Sequence, residues 1–455
     1  MYNLSEQPRT LATSLLRIKR KEVDISQSIP NGSRIVIYGA DVLGQEVFWE
    51  LGGKEHVVAF IDRTFSHMKY EGIPIFSLYD PEIKEVCEDQ HTVVVVTPMA
   101  YWGNIHSELR RLFPQLKILP IYALFAMAEN DLTTPKGELL LKVINREKTD
   151  IEKIVVVASV YTFLLYLLIN PRIENTVFIF GERFPSEILK RFEKVTEYVF
   201  GGERFNGDRD KVIDIANLFA VYAKKYSIDI WGHDHIMVSL PFPRELFHVV
   251  EDGTANYQRN IAESLTKMLD DGTIYIPMGF GGLIKDIYLT EKTVIPKEIK
   301  APVVTIKPEV LWREMSNERR DSVLSIFDYP SLKIKSLIKE GRKVIFLTDP
   351  LSRDGVMTEY EQICLSKKII SLYDADQIII RPHPSDKIRY EEMFPDCAVL
   401  RDRFPFELFI WDVAMDCEKF VAILWEDYLE RHFITGLVPR KQIDYYDTNA
   451  QLISK

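Results

Sequence analysis

Short apolar runs rich in β-branched residues recur along the chain, among them "TVVVV", "KIVVV", "TVFIF", "VIFLT" and "IIIR", and stretches with helical spacing follow them. A strand that is apolar at consecutive positions has both faces covered, as in a parallel sheet packed between helices. Strands of this kind alternating with amphipathic helices are the signature of βα units, and the fold class is α/β. The 455 residues exceed what one hydrophobic core serves, so two to three domains are expected. Three Rossmann-like blocks emerge. Residues 1–145 carry "SRIVIYGA", "HVVAFID", "GIPIF", "TVVVVTP" and "LKILPIYAL" as strands or strand ends. Residues 150–326 carry "IEKIVVVAS", "NTVFIFGE", "YSIDIWGH", "LFHVVEDG" and "GTIYIPMG". Residues 327–455 carry "KVIFLTDP", a helix around "TEYEQICLSKKIISLY", "QIIIRPHP" and "KFVAILWEDYLERH".

Composition excludes several classes. With 46% hydrophobic and 27% charged residues the chain reads as a soluble globular protein. Its net charge of −10 provides no field for phosphate backbones, and the basic cluster "RIKRKE" is short, so nucleic acid is not an expected partner. Cys87, Cys364, Cys397 and Cys417 have no C-x-x-C spacing, which argues against a zinc site and a disulfide framework and fits a cytoplasmic setting. The polar opening "MYNLSEQPRT" is not that of a signal peptide. The apolar run Ile154 to Ile169 has 16 residues, short of the ~20 that span a bilayer, and Pro171 closes it. It divides into a buried strand "KIVVVAS" and a helix "VYTFLLYLLI".

In the first block, "IYGADVLG" places Gly39 and Gly44 at a strand-to-helix turn, with Asp62 at the end of the next strand. This approximates a dinucleotide-binding fingerprint, but Asp41 replaces the middle glycine and would repel a pyrophosphate. The favoured reading is a turn that needs glycine for packing and binds nothing. Through "IVIYGADVLGQEV", "VVAFIDR" and "GIPIFSL" the block resembles nucleotide-binding-like domains attached to bacterial sugar-modifying enzymes, which makes it an accessory domain.

Two motifs carry chemistry. In "HVVEDGTANY", Glu251 and Asp252 stand at a strand end, where α/β sheets bind ligands and where a partly desolvated carboxylate can take a proton from an alcohol. Gly253 permits the sharp turn; the bland alternative is that "DG" is only a turn signal. In "IIIRPHPSD", Arg381 ends a strand and Pro382 and Pro384 hold His383 extended. An imidazole there can hydrogen-bond or protonate a departing phosphate near neutral pH. A base on one Rossmann edge and an acid on the next would face each other across a cleft.

These motifs, with "FLTDPLSRDGVMTEYEQI" and "FPFELFI" in the same order, resemble glycosyltransferase family 52, the bacterial lipooligosaccharide sialyltransferases. The resemblance spans roughly residues 150–440. It implies a GT-B-like pair of domains, 150–326 on the acceptor side and 327–455 on the donor side, preceded by the additional block. It also implies inverting, metal-independent transfer of sialic acid from CMP-sialic acid to a terminal sugar hydroxyl of a surface lipooligosaccharide or capsule, with no cofactor beyond the nucleotide-sugar donor. Carried over, Glu251 or Asp252 is the general base and His383 acts on the leaving phosphate. Gly253, Arg381, Pro384 and Glu407 bind substrate, Glu407 through the cytidine ribose. The alternative for Glu407 is a carboxylate favoured by a helix dipole. A glycan or glycolipid acceptor would bring the protein to the inner face of the membrane without spanning it, and self-association is compatible with this reading.

One departure matters. Where the family carries a pair of hydroxyl residues for the donor phosphate, this chain has Ala422 and Ile423. Another CMP-activated nonulosonic acid, a UDP-hexose, or a silent nucleotide-binding role therefore stays open, and phosphate could instead meet the N-terminus of the following helix. His233 and His235 in "WGHDHIMV" lack a cluster of further ligands and read as loop histidines. "YIPMGFGGLIKD" reads as a flexible loop near the cleft.

Overall fold

A computed structural model of the chain describes residues 25–98, 102–128, 130–181, 184–201, 209–268, 273–290, 294–383, 385–402, 404–413, 417–423 and 442–453. The first sheet contains β1 (Arg34–Tyr38), β2 (Val57–Ile61), β3 (Lys69–Tyr70), β4 (Ile73–Phe76), β5 (Thr92–Val96) and β6 (Lys117–Pro120). Its order is β3-β4-β2-β1-β5-β6, parallel except at the β3-β4 hairpin. Next along the chain come β7 (Lys153–Val157), β8 (Thr176–Phe180), β9 (Val199–Gly201), β10 (Asp229–Gly232) and β11 (Phe247–Val250). A two-stranded ribbon, β12 (Lys267–Met268) with β13 (Ile274–Tyr275), interrupts them before β14 (Asp286–Leu289) and β15 (Val303–Thr305). The second sheet is parallel, in the order β15-β14-β11-β10-β7-β8-β9. The third, also parallel, has β16 (Val344–Thr348), β17 (Ile378–Pro382), β18 (Ala398–Val399), β19 (Lys419–Ile423) and β20 (Ile443–Tyr446), ordered β18-β17-β16-β19-β20. The second and third sheets are two further Rossmann-like units, and the first is an additional N-terminal unit.

The expected strands thus form, with two differences. "GTIYIPMG" supplies the small ribbon rather than a sheet strand, and β14 and β15 complete the second sheet from sequence with weak strand patterning. The apolar run divides as expected, into β7 and the helix Val160–Ile169. That helix is apolar all round because it is buried, with Phe163 to Leu168 almost inaccessible. No described helix is long and apolar enough to cross a membrane.

In the first unit, the turn after β1 is organised by its own side chains. Asp41 caps the helix Val42–Glu50, its carboxylate accepting the Gly44 N–H at 3.1 Å where an anion would otherwise sit. A Cβ on Gly44 would lie 1.9 Å from the Gly39 carbonyl oxygen, so this glycine serves close packing. Asp62 accepts the N–H groups of Ala40, Thr64 and Phe65 at 2.9, 2.7 and 3.1 Å, and is therefore a backbone staple.

This unit does not hang free. Tyr122, Ala123 and Ala126 on the helix Ile121–Ala128 share one buried cluster with Val212, Ile215 and Phe219 on the helix Arg209–Tyr226 of the second unit. Lys136 donates to the Val199 carbonyl at 2.8 Å and lies over the Phe200 ring. Removing residues 1–140 uncovers this apolar surface. Each fully buried large side chain so exposed costs about 1.5–3 kcal/mol. The truncated chain is expected to melt well below the full chain and to aggregate in size-exclusion chromatography. Equal melting temperatures would show that the shared core contributes nothing.

Candidate active site

Three chain segments leave the C-terminal edge of the second sheet side by side, from β7, β10 and β11. The chain runs outward from β7 through β8 and β9, then restarts on the other side with β10, so the β7-β10 boundary is a topological switch point where open α/β sheets bind ligands. Gly232 ends β10 with a φ of 115°, and a Cβ there would fall 2.2 Å from the Val156 carbonyl oxygen. Only glycine allows that approach. It lets the His233 N–H reach the Val156 carbonyl at 2.9 Å and turns the His233 ring under the start of the next helix.

The ring's tautomer follows from its partners. The Ala158 backbone N–H donates to His233 Nδ1 at 3.1 Å, so Nδ1 carries no proton and the ring proton is on Nε2. Nε2 faces Thr162 Oγ1 at 2.9 Å and Asp252 Oδ1 at 3.1 Å. The Thr162 hydroxyl is 2.8 Å from the Glu251 carbonyl oxygen, which it can reach as donor. Asp252 Oδ2 stands 3.6 Å from His235 Nε2, and the Asp252 N–H is anchored by Asn256 Oδ1 at 2.6 Å. Burial opposes the charge of Asp252, but His233, His235 and Ser159 outweigh it and hold the carboxyl far below the usual range. Its side chain remains 26% exposed.

The adjacent acids have different environments. Glu251 is fully buried. Its carboxylate accepts from Tyr161 OH at 3.0 Å, Tyr257 OH at 2.6 Å, Thr290 N–H at 2.7 Å and the Thr290 hydroxyl at 2.8 Å. Of the two acids offered as the base, Glu251 is the enclosed one and ties the helix Val160–Ile169, the turn Gly253–Tyr257 and the end of β14 together. Gly253, with a φ of 85°, opens that turn.

His233 and His235, read from sequence as loop residues, do lie in the loop after β10, and there both face Asp252. Asp234, between them, is wholly buried and accepts from Tyr275 OH and, at 2.8 Å, from the Met278 N–H. The Gly-rich segment that supplies Met278 is a packed turn with Met278 and Phe280 in a small core, not a flexible loop. The available signal was the position of "GHDH" directly after a strand, but its meaning depends on which strands are neighbours.

In the third unit, Arg381 is buried and its guanidinium is spent on carbonyls, those of Leu400 at 2.8 Å, Asp402 at 2.5 Å and Phe404 at 3.2 Å, while stacking on the Phe404 ring. Arg381, expected to bind substrate, thereby fastens β17 to the segment before the helix Phe406–Val413. Pro384 lies outside the described residues. His383 is exposed at the end of β17. Its Nδ1 accepts the Ser385 N–H at 3.2 Å, which leaves the proton on an outward Nε2. Partial burial and the Arg353 guanidinium lower its pKa. Asp386 locks the loop to the central strand by accepting from Thr348 and Tyr390 hydroxyls at 3.0 and 2.9 Å. Glu407 is in the first turn of the helix Phe406–Val413 and close enough to Tyr161 to raise that phenol's pKa, after the larger effects of burial and Glu251. Ala422 and Ile423 are interior residues of β19, and the helix expected after them lies outside the described residues.

An uncharacterized protein of Haemophilus influenzae strain Rd is 31% identical over 248 residues, covering 53% of this chain and 77% of that one. The two proteins belong to one family. The family model of glycosyltransferase family 52 matches residues 222–414. This interval contains both acidic residues, His383 and Glu407, is narrower than the 150–440 expected, and leaves the first sheet outside. Over it the chain is glycosyltransferase-like. Among solved structures, the GT-B domain of a sialyltransferase from Photobacterium damselae aligns with a TM-score of 0.42 and 11% identity, covering 64% of this chain and 89% of that one.

Proposed function

We propose that the protein is an inverting, metal-independent glycosyltransferase that moves sialic acid from CMP-sialic acid to a sugar hydroxyl of a bacterial surface glycan. The observation that carries the reading is Asp252, an accessible carboxylate kept ionised by two imidazoles at a topological switch point. Asp252 is the general base. As the acceptor oxygen bonds to the anomeric carbon its proton becomes acidic, so a carboxylate of low basicity can receive it. The bond from that carbon to the phosphate oxygen breaks on the opposite side, and the charge developing there meets His383 Nε2–H. Glu407, whose charge is felt at Tyr161, is the residue we assign to the donor ribose.

A second reading keeps the mechanism and changes the donor. It is favoured by Ala422 and Ile423, which offer no hydroxyl to a donor phosphate. The test is nucleotide release, without added metal, from CMP-sialic acid and separately from UDP-glucose, with a lactose-terminated acceptor. CMP release that falls by about 10²-fold or more in His383→Ala is the expected result. UDP release instead would transfer the proposal to a hexose donor. Binding of a nucleotide with no release from either donor would support a silent binding protein.

A further inference from the structure

His235 is placed differently from His233. Its Nδ1 is 3.5 Å from Asp234 Oδ1 and its Nε2 is 3.6 Å from Asp252 Oδ2. These are ion-pair separations rather than hydrogen bonds, and Asp234 Oδ1 and His235 Nδ1 are buried without a hydrogen-bond partner, so what the ring can offer the two carboxylates is the charge of an imidazolium protonated on both nitrogens. Asp234 is wholly buried, so its charge beside that of the partly exposed Asp252 is costly without a cation between them. We propose that His235 is a positioning residue for transfer, a standing imidazolium that bridges Asp234 and Asp252 and keeps the Asp252 carboxylate ionised and aimed. This rests on Asp252 being the base.

The surroundings define what the bridge has to balance. Asp234 is further held by Tyr275 and Met278, and its carbonyl accepts from Arg244 at 2.9 Å. Asp252 is further held by His233, Thr162 and Ser159. Glu251 stands beside it with Tyr161, Tyr257 and Thr290, and the charge of Glu407, from the third unit, is felt at Tyr161. Burial works against a charged His235, but the two aspartates prevail and raise its pKa to about 9. The sign follows: a histidine raised above its ordinary value of about 6.5 contributes its full stabilisation below that value and loses it as the pH rises through about 9.

The test is an NMR titration of the full chain carrying labelled histidine and aspartate, with signals assigned from His235→Gln, Asp252→Asn and Asp234→Asn. In the wild type, His235 should be protonated on both nitrogens at neutral pH and titrate near 9. Either aspartate substitution should bring that value down by about one unit or more. In His235→Gln, whose neutral amide keeps a donor toward Asp252, the Asp252 carboxyl should titrate at higher pH than in the wild type. The acidic limb of transfer should move up with it, whereas a merely structural residue would lower the rate at every pH alike. A wild-type His235 that titrates near 6.5, or an Asp252 titration unchanged in His235→Gln, would overturn the proposal. Titrations as expected with no turnover of any nucleotide sugar would sink the donor reading and leave the bridge standing.

Discussion

Asp252→Asn should lower transfer by about 10²–10⁴-fold, the usual worth of a positioned general base, and should also lower the chain's stability to urea, because the ionised carboxylate is held in the fold by His233 and His235. Asparagine has nearly the same shape. Its amide oxygen can still accept from His233 Nε2 and Thr162, which meet Oδ1 at 3.1 and 3.3 Å. What disappears is the capacity to take a proton, and with it the counter-charge for His235. The loss should fall on kcat, because the interaction belongs to the transition state. Turnover within a few-fold of the wild type would remove Asp252 from the mechanism and return the neighbouring "DG" to a plain turn.

Glu251→Gln should act on the fold instead. Its carboxylate collects the hydroxyls of Tyr161, Tyr257 and Thr290 and the Thr290 N–H, all donors, inside a fully buried site. Glutamine converts one of its two acceptor oxygens into a donor that then faces other donors, and the buried mismatch should cost about 2–4 kcal/mol. The urea midpoint reports this loss, with the slope of the transition unchanged. Activity per folded molecule should fall much less than in Asp252→Asn. A protein as stable as the wild type would mean that Glu251 is not the staple its contacts describe. The two substitutions thus separate acids that are adjacent in the chain and alike in chemistry.

Much of this was open to reading from the residues. Strands buried on both faces announce themselves as β-branched runs, and the helix Val160–Ile169 follows from the length of its apolar stretch and the proline after it. The role of Asp41 as the cap of the following helix is of the same kind, since local geometry within three residues decides it. Arg381 could not be judged this way. Its guanidinium meets carbonyls 19 to 23 residues further on, and nothing local distinguishes such an arginine from one that binds a ligand.

The acidic and His-Pro motifs, the parallel βα plan and the three-block order are local properties, set by side-chain size, charge and backbone preference within a few residues, and the sequence by itself determined them. Which of two neighbouring carboxylates stays accessible, and that two histidines close around it, was decided by the tertiary structure alone. The reason is strand order. β10 returns beside β7 rather than beside β9, and this brings residues about 75 and 90 apart in the chain to one sheet edge, where burial and hydrogen-bond partners give each group its role.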